Sequence, residues 1–337
     1  MPDALPVPNP AFLKKLGIRY PIFAAPTGSI AGPELAVAVS EAGALGAMGL
    51  TWTPPDEAAQ MVRQVKSQTG KPFQVNFALA FEPRALPAVL DAGVPIVTFS
   101  WGDPAPYIAS VRAAGSLFGV QVTNAEGAKR AIELGADFLV CQGVEAGGHV
   151  QATTPLWETL GNIVDVAGET PVVAAGGIKN GMWIFRALHA MGLGASGAMF
   201  GTRFVATIES RAHPKYKQAL VEAGPLSRTP LTTCFDGGWP QAAHRVLRNP
   251  TLDTWEAHGC PPSGRRPGEG DIVARSASGE PILRYEDTAP RIGHTGNIHE
   301  MCLYAGTGVR AITEILPARK VVQQLWSEYL EAVTAHR

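Results

Sequence analysis

The feature that most constrains this chain is an alternation of short apolar runs with helix-like stretches, repeated roughly every 25 residues over its first two-thirds. Most of the runs lack polar alternation, which is typical of strands buried on both faces of a parallel sheet. Eight strands are predicted, at residues 20–25, 45–50, 73–77, 95–100, 117–122, 138–142, 171–175 and 197–200. Eight such units predict an α/β fold of the (β/α)8 barrel type. A doubly wound open sheet is the alternative, although no G-x-G-x-x-G follows the first run.

Helices are predicted between the strands where apolar residues recur at helical spacing and end at a glycine or another stop signal. They cover residues 33–41, 55–68, 125–134 and 182–191, and an amphipathic helix is predicted at 317–333.

The periodicity fades between residues 225 and 298, where Gly, Pro, Arg and Trp are frequent. A stretch this long with little regular structure is usually functional, and we interpret it as an irregular or helical lid inserted after the eighth strand. The chain is accordingly divided into a barrel at 1–224, a lid at 225–298 and a C-terminal segment at 299–337. The last segment carries a helix that packs back on the barrel.

Composition excludes several classes of protein. The 28 basic and 29 acidic residues give a net charge of −1, which excludes the global basicity of a non-specific nucleic-acid binder. No run of 18 apolar residues is present, so no membrane partner is expected, and the N-terminus lacks the apolar core of a signal peptide. Four scattered cysteines indicate free thiols in a reducing compartment, so we expect a cytoplasmic protein.

The residues at the predicted strand ends are polar, rich in glycine and nearly uncharged. In a barrel these ends meet the βα loops, where active sites lie. Strand ends of this composition favour a large, flat, partly anionic ligand that is held by backbone amides. They disfavour a metal ion, which needs clustered Asp, Glu or His. Gly176-Gly177 and Gly201-Thr202 follow the seventh and eighth strands, where barrel phosphate sites are common. The alternative is that these glycines only permit sharp turns.

His149 follows Gly147-Gly148 directly at the predicted barrel mouth. We interpret it as a candidate acid, base or anion-binding group, with a structural histidine as the alternative. Glu145 either orients it, pairs with a cation or is solvated. The other seven histidines are expected to be exposed. His294, His299 and Cys302 do not match the spacing of a zinc site, and no G-x-S-x-G elbow of a hydrolase is present.

The predicted lid contains two aromatic residues and a basic run that bear on its role. Trp239 and Phe235 either cover a pocket or pack within the insertion, and the run Arg265-Arg266-Pro267 is expected to be a solvated loop.

Several motifs together resemble the nitronate monooxygenases, formerly called 2-nitropropane dioxygenases, over nearly the whole chain. The matching segments are YPIFAAPTG, QVNF, GVQVTNAEGAKRAIELGADFLVCQGVEAGGH, PVVAAGGI, FGTRFVAT and LYAGTGV. The occurrence of E-A-G-G-H, A-G-G-I and G-T-R-F in this order is a specific signature of the family, whereas each motif alone is weak evidence. Two positions depart from the family: Thr27 stands where methionine is common, and Thr307 where glutamine is frequent.

The resemblance implies an FMN-dependent barrel in which His149 is the active-site histidine. It implies that Gly176, Gly177, Gly201 and Thr202 hold the phosphate of FMN. It places Ala25, Pro26 and Thr27 beside the flavin ring, Asn76, Gln121 and Gln142 as polar contacts, and Ala146, Gly147 and Gly148 along its edge.

The function implied is oxidation of an alkyl nitronate, or of a nitroalkane, with O2 to a carbonyl compound and nitrite. The partners are therefore the small nitronate and O2, and a homo-oligomer is left open. An FMN-dependent NAD(P)H reductase of quinones or enoyl thioesters is the first alternative. A flavin-free barrel is the second, as a lyase or aldolase acting on a phosphate ligand or as a binder. No lysine lies at a predicted strand end, which disfavours Schiff-base chemistry.

Overall fold

The computed structural model describes residues 7–190 and 192–336, and its centre is one sheet of eight parallel strands. The strands are β1 (Ile22–Ala24), β2 (Gly46–Gly49), β3 (Phe73–Ala78), β4 (Ile96–Ser100), β5 (Leu117–Val122), β6 (Phe138–Gln142), β7 (Val172–Ala175) and β8 (Gly197–Phe200). Each strand pairs with the next, and β8 pairs with β1. A parallel bridge from Phe23 to Leu45 joins β1 to β2 and closes the ring. The predicted barrel is confirmed, and the open sheet is excluded.

Four strand predictions begin one or two residues too early, and three of those stretches contain a proline. Pro21, Pro95 and Pro171 lie just outside β1, β4 and β7. Proline has no N–H to contribute to a ladder, so pairing begins at the residue that follows it.

Helices alternate with the strands as predicted. They are α1 (Pro10–Leu16), α2 (Pro33–Glu41), α3 (Pro55–Gln68), α4 (Leu86–Asp91), α5 (Ile108–Ala113), α6 (Ala125–Glu133), α7 (Leu156–Ala167), α8 (Gly181–His189), α9 (Thr202–Val205), α10 (Pro214–Glu222), α11 (Pro250–Ala257) and α12 (Ala318–Ala335). α8 begins at Gly181 because the Asn180 side chain accepts a hydrogen bond from the N–H of Trp183. The predicted end of this helix, Met191, lies outside the described residues.

One end of the barrel is closed by α1. Phe12 packs against Phe23 and Phe138, with ring centroids 6.1 and 5.8 Å apart, and all three rings are buried. Phe138 is the first residue of β6, so this plug fills the amino-terminal end of the barrel. The carboxyl ends of the strands remain for a site.

Residues 225–298 are more regular than their composition predicts. Besides α11 they contain a three-stranded antiparallel sheet of Ile272–Arg275, Pro281–Leu283 and Thr295–Gly296. A second small sheet joins Leu231–Thr232 and His244–Arg245 to Gly148–His149 of the barrel loop. Strands of two to four residues are too short for periodicity to reveal, which is why the sequence predicted only irregular structure. Within the described ranges, no helix combines the length and apolar character that a bilayer crossing requires.

Candidate active site

His149 lies at the carboxyl end of the barrel, in the loop that follows β6. It pairs in register with His244 of the insertion, and its ring lies 4.5 Å from that of Trp239, between centroids. The Nε2 atom of His149 is buried and has no hydrogen-bond partner among the described residues. Burial, with a smaller effect from His244, lowers the pKa of His149 to about 3. The imidazole is therefore neutral at pH 7, with one nitrogen available to a ligand.

His244 is fully buried, so the prediction that it would be exposed is wrong. Its Nε2 accepts a hydrogen bond from the N–H of Phe235 at 3.1 Å, and its Nδ1 donates to the carbonyl of Ala242 at 2.9 Å. These two bonds fix the neutral Nδ1–H tautomer, and burial lowers the pKa of His244. The expectation fails for His294 as well, which is also buried. A lone histidine in a stretch without periodicity carries no signal of burial.

Gln142, at the end of β6, holds the strand segment that carries His149. Its Oε1 accepts hydrogen bonds from the N–H groups of Gln151 and Ala152 at 2.8 and 3.3 Å. Gln121 joins the same network, because its Nε2 donates to Oε1 of Gln151 at 3.2 Å. Gln151 is the member of this network that sequence reasoning missed.

Glu145 forms no hydrogen bond with His149 and no salt bridge among the described residues, although its charge acts on Arg245, where it opposes the lowering of the pKa by burial. Its carboxylate accepts a hydrogen bond from the N–H of Leu156 at 3.0 Å and so caps the start of α7.

The glycine turns after β7 and β8 lie against one common segment, Gly306-Thr307. A Cβ on Gly177, whose φ is +67°, would lie 2.8 Å from Oγ1 of Thr307. The N–H of Gly306 donates to Oγ1 of Thr202 at 3.0 Å. Two turns that are 25 residues apart in sequence are thus brought to one place. The departure of Thr307 from the family pattern lies at this junction.

Close backbone approach explains the glycines of these turns. A Cβ on Gly176 would lie 3.0 Å from the carbonyl of Gly143, and one on Gly147 would lie 2.3 Å from the nitrogen of Gly306. Gly147 thus joins the same junction, while Ala146 and Gly148 flank it in the chain. The backbone N–H groups of Gly177, Gly201 and Thr202 donate to no acceptor within the described residues. Free amide donors grouped in this way are suited to an anionic oxygen.

The segment after β1 lies beside the β8 turn. A Cβ on Gly201 would lie 3.5 Å from Cβ of Ala25 and 3.6 Å from Cγ2 of Thr27. Pro26 lies between these two residues, and the buried Oγ1 of Thr27 has no hydrogen-bond partner in the described part of the chain. Asn76 of β3 is fixed by β4, since its Nδ2 donates to the carbonyl and Oγ1 of Thr98 at 3.1 and 3.2 Å.

An aromatic wall of Trp52, Phe81, Trp101 and Trp239 stands over this end of the barrel. Trp239 lies 4.9 Å from Phe81, 4.7 Å from Trp101 and 6.3 Å from Trp52, measured between ring centroids. Trp52, Phe81 and Trp101 follow β2, β3 and β4, and Trp239 comes from the insertion. The interpretation that Trp239 covers a pocket agrees with its contact with His149. Phe235, in contrast, is fully buried within the insertion.

Two features fix the wall in place. Trp101 has a φ of +61°, a conformation that costs a non-glycine residue roughly 1–2 kcal/mol and is maintained by its surroundings. The N–H of Trp101 donates to Oε1 of Gln151 at 3.3 Å, which ties the wall to the segment that carries His149.

The loop that carries Trp239 is anchored by a charged pair. Arg266 forms two hydrogen bonds with the carboxylate of Asp236, at 2.7 and 2.9 Å, and its side chain is only 6% exposed. The expectation of a solvated loop is therefore wrong for Arg266. A buried bidentate pair of this kind restricts geometry more than it adds stability.

A cavity of about 220 Å³ lies beside Trp101, and it is lined by Gly102, Gln121, Gln151 and the ion pair of Asp103 with Arg130. Among the described residues, no group of His, Cys, Asp or Glu could hold a metal ion. The four cysteines are free thiols.

Comparison with known proteins agrees with this geometry. The model of the nitronate monooxygenase family matches residues 9–85 and 81–328. A nitronate monooxygenase of Pseudomonas aeruginosa is 33% identical over 300 aligned positions, which cover 74% of this chain and 83% of the relative.

Two further similarities are informative. The (3aS,4S,5R,7aS)-5-hydroxy-7a-methyl-1-oxo-octahydro-1H-indene-4-carboxyl-CoA dehydrogenase of Mycobacterium tuberculosis is 33% identical, over 72% of this chain and 67% of that protein. The structure of a nitroalkane oxidase from Streptomyces ansochromogenes superposes with a TM-score of 0.76 at 31% identity, over 97% of this chain and 100% of the other.

The closed barrel, the amide-rich turns and the half-buried histidine agree with these similarities, which together define an oxidoreductase of the flavin-dependent barrel class. Within that class, the chain belongs to the nitronate monooxygenase family.

Proposed function

We propose that this protein binds FMN and oxidises alkyl nitronates with O2 to a carbonyl compound and nitrite. The observation that carries the proposal is the juxtaposition of free backbone amides at the β7 and β8 turns with an unpartnered nitrogen of a neutral histidine. The amides are suited to a phosphate, and the histidine to the nitro group of a substrate.

The residues of the site fit FMN in two respects. The amides of Gly177, Gly201 and Thr202 would hold its phosphate, and a side chain at Gly177 would collide with Glu145 and Thr307. The buried Oγ1 of Thr27 has no partner among the described residues, which suits a polar edge of the ring. When bound, FMN supplies the redox chemistry by accepting electrons from the nitronate and passing them to O2.

The role of His149 in this proposal is to bind the nitronate oxygens. With a pKa of about 3, its imidazole is far too weak a base to deprotonate a nitroalkane at useful rates. A neutral N–H can instead donate a hydrogen bond to a nitronate oxygen in a site that excludes water, where such a bond is worth more than in solution. We therefore propose preformed nitronates as substrates, rather than neutral nitroalkanes.

The stoichiometry balances without a further reductant. Two nitronate anions and one O2 give two carbonyl compounds and two nitrite ions, which conserves atoms and charge. The work of the protein is to hold the anion at His149 under Trp239 and to keep solvent from the reacting carbon.

The proposal is tested by anaerobic mixing of the purified yellow protein with the nitronate of nitroethane, which carries no carboxylate, or with NADH. Rapid bleaching of the flavin bands by the nitronate and slow bleaching by NADH is the expected result. A colourless protein that does not take up added FMN would contradict the cofactor assignment and favour a flavin-free barrel.

A reductase or dehydrogenase acting on acyl thioesters is the second candidate. It is favoured by the similarity to the mycobacterial protein, whose name gives a carboxyl-CoA substrate. The same experiment separates the two candidates, because rapid bleaching by NADH or NADPH with no response to the nitronate would support the thioester enzyme.

A further inference from the structure

The aromatic wall has exposed apolar surface that the fold does not need. The side chain of Trp52 is 58% exposed, although it lies within 5.2 Å of Phe81, between ring centroids. Phe81, Trp101 and Trp239 are each half-buried. Large apolar side chains that stay exposed at the opening of a pocket are a feature of ligand-binding sites. Their exposure to water does not stabilise the folded protein.

Three rings of the wall meet edge to face. The interplanar angles are 68° between Trp52 and Phe81, 66° between Trp52 and Trp239, and 78° between Phe81 and Trp239. Edge-to-face contact is a geometry that aromatic pairs prefer, so an aryl group can join these rings at the exposed side of Trp52.

The wall is also held rigidly. Asp236 and Arg266 anchor the loop that carries Trp239, and the N–H of Gly237 donates to the carbonyl of Tyr285 at 3.2 Å. A rigid apolar surface loses little conformational entropy when a ligand binds, so it discriminates by shape.

The adjoining cavity offers no free positive charge. Among the residues that line it, Arg130 is the one cation, and Asp103 accepts a hydrogen bond from it at 3.0 Å. A substrate whose far end carries a carboxylate would meet only the uncharged polar groups of Gln121, Thr123, Asn124 and Gln151 here, and no free cation to offset its loss of hydration.

We infer that the aromatic wall selects nitronates whose carbon carries an aryl or other flat conjugated substituent, over nitronates whose substituent is short and aliphatic or carries a carboxylate. The nitro group faces His149, and the substituent lies against Trp239 and its neighbours. This inference rests on the proposed function for its reaction, but the binding preference itself can be measured without turnover.

The test uses two neutral nitro compounds that have no α-hydrogen and cannot form nitronates, nitrobenzene and 2-methyl-2-nitropropane. Equilibrium dialysis against the flavin-loaded protein measures both dissociation constants. We expect nitrobenzene to bind about tenfold more tightly, the size of a favourable aromatic contact. Trp52→Ala should reduce that ratio to near one. Phe81→Leu keeps apolar volume and should also reduce the ratio of the two dissociation constants. It provides the test if Trp52→Ala folds poorly.

The matched control is Trp183→Ala. Trp183 lies on α8, where it packs against Trp157 at 5.1 Å between ring centroids and beneath Lys179, so its loss should leave the ratio unchanged. Equal affinities for the two compounds in the wild-type protein would overturn the inference. So would a preference for nitrobenzene that survives both wall variants.

A kinetic arm separates this inference from the proposed function. With nitronates of phenylnitromethane and of 3-nitropropionate, we expect kcat/KM to favour the phenyl compound by about tenfold or more. If neither nitronate is oxidised but the wall variants still abolish the binding preference, the proposed function fails and the inference stands. If both are oxidised with equal kcat/KM and bind without preference, the inference fails and the function stands.

Discussion

His149 and His244 lie directly opposite each other on neighbouring antiparallel strands, with ring centroids 5.6 Å apart and ring planes at 68°. One comes from the loop after β6 and the other from the insertion, so the site is complete only when the insertion is docked on the barrel. His244 uses both of its nitrogens within the protein, whereas the Nε2 of His149 has no hydrogen-bond partner among the described residues. We therefore expect His244 to act as a positioning residue and His149 as a ligand-binding residue.

Substitution of His149 by alanine should leave FMN bound and lower turnover of nitronates by roughly 10²–10³-fold, the cost of removing one donor from a preorganised anion site. The measurements are flavin content by absorbance and kcat with a nitronate. His258→Ala, at an exposed histidine that caps α11, is the control and should behave as wild type. Unchanged turnover of the His149 variant would remove this residue from the mechanism.

Substitution of His244 by phenylalanine should destabilise the protein by about 1–3 kcal/mol, because the buried N–H of Phe235 loses its acceptor. The ring packing against His149 and Tyr304 is kept, so the loss reports the hydrogen bonds. Urea unfolding of the loaded enzyme measures the stability change. Full stability in the variant would show that these bonds contribute little. A positioning role further predicts a fall in kcat that is larger than the change in KM.

Substitution of Gly177 by alanine should weaken FMN binding by at least about tenfold. The new Cβ would lie 2.7 Å from Cβ of Glu145 and 2.8 Å from Oγ1 of Thr307, and the φ of +67° adds strain. Gly135→Ala is a matched control with a φ of +78° and nothing within 4 Å of its Cβ. FMN affinity is measured by fluorescence titration of the apoprotein. An equal loss of FMN affinity in both variants would mean that strain from the positive φ, and not the contacts of the β7 turn, controls FMN binding.

The free energy of unfolding should fall as the pH drops from about 6.5 toward 3. His149 ordinarily has a pKa of 6.5, and the folded protein lowers it to about 3, so over this interval the unfolded chain binds a proton that the folded chain does not. The stability contributed by the neutral form is thus present above pH 6.5 and lost as the pH falls. The loss cannot exceed about 1.4 kcal/mol per pH unit for this group.

His149→Phe removes this titration and supplies the control for the pH series. The difference in stability between wild type and variant, measured by urea unfolding at several pH values, should change steadily between pH 6.5 and 4. A difference that is independent of pH would contradict the assignment of His149 as a buried neutral group.

The barrel could be predicted from sequence because its signals are local and repeated. Strands such as Phe138–Gln142 are continuous apolar runs, and helices such as Pro55–Gln68 have clear start signals and apolar spacing. The strand order then follows from the rule that successive β-α units close into a ring.

The site was predicted less completely, because its missing members owe their roles to contacts distant in sequence. Gln151, His244 and Trp52 have no motif of their own, and each acquires its role from a neighbour far along the chain. Gln142 was predicted as a cofactor contact from the family resemblance, yet its Oε1 is committed to the backbone of Gln151 and Ala152. Arg266 looked like a surface cation because the sequence does not show that Asp236 would meet it 30 positions away.

Trp239 lies outside the eight β-α repeats of the barrel, and this affects how the substrate range can diverge within the family. The glycine turns belong to barrel loops, whereas Trp239, at the centre of the aromatic wall, belongs to the insertion. The insertion forms a small hydrophobic core from Cys234, Phe235, Val246, Leu252 and Tyr285, together with Cys302 of the C-terminal segment. Transplanting residues 225–298 between homologues should therefore exchange the range of compounds accepted while leaving the prosthetic group where it is.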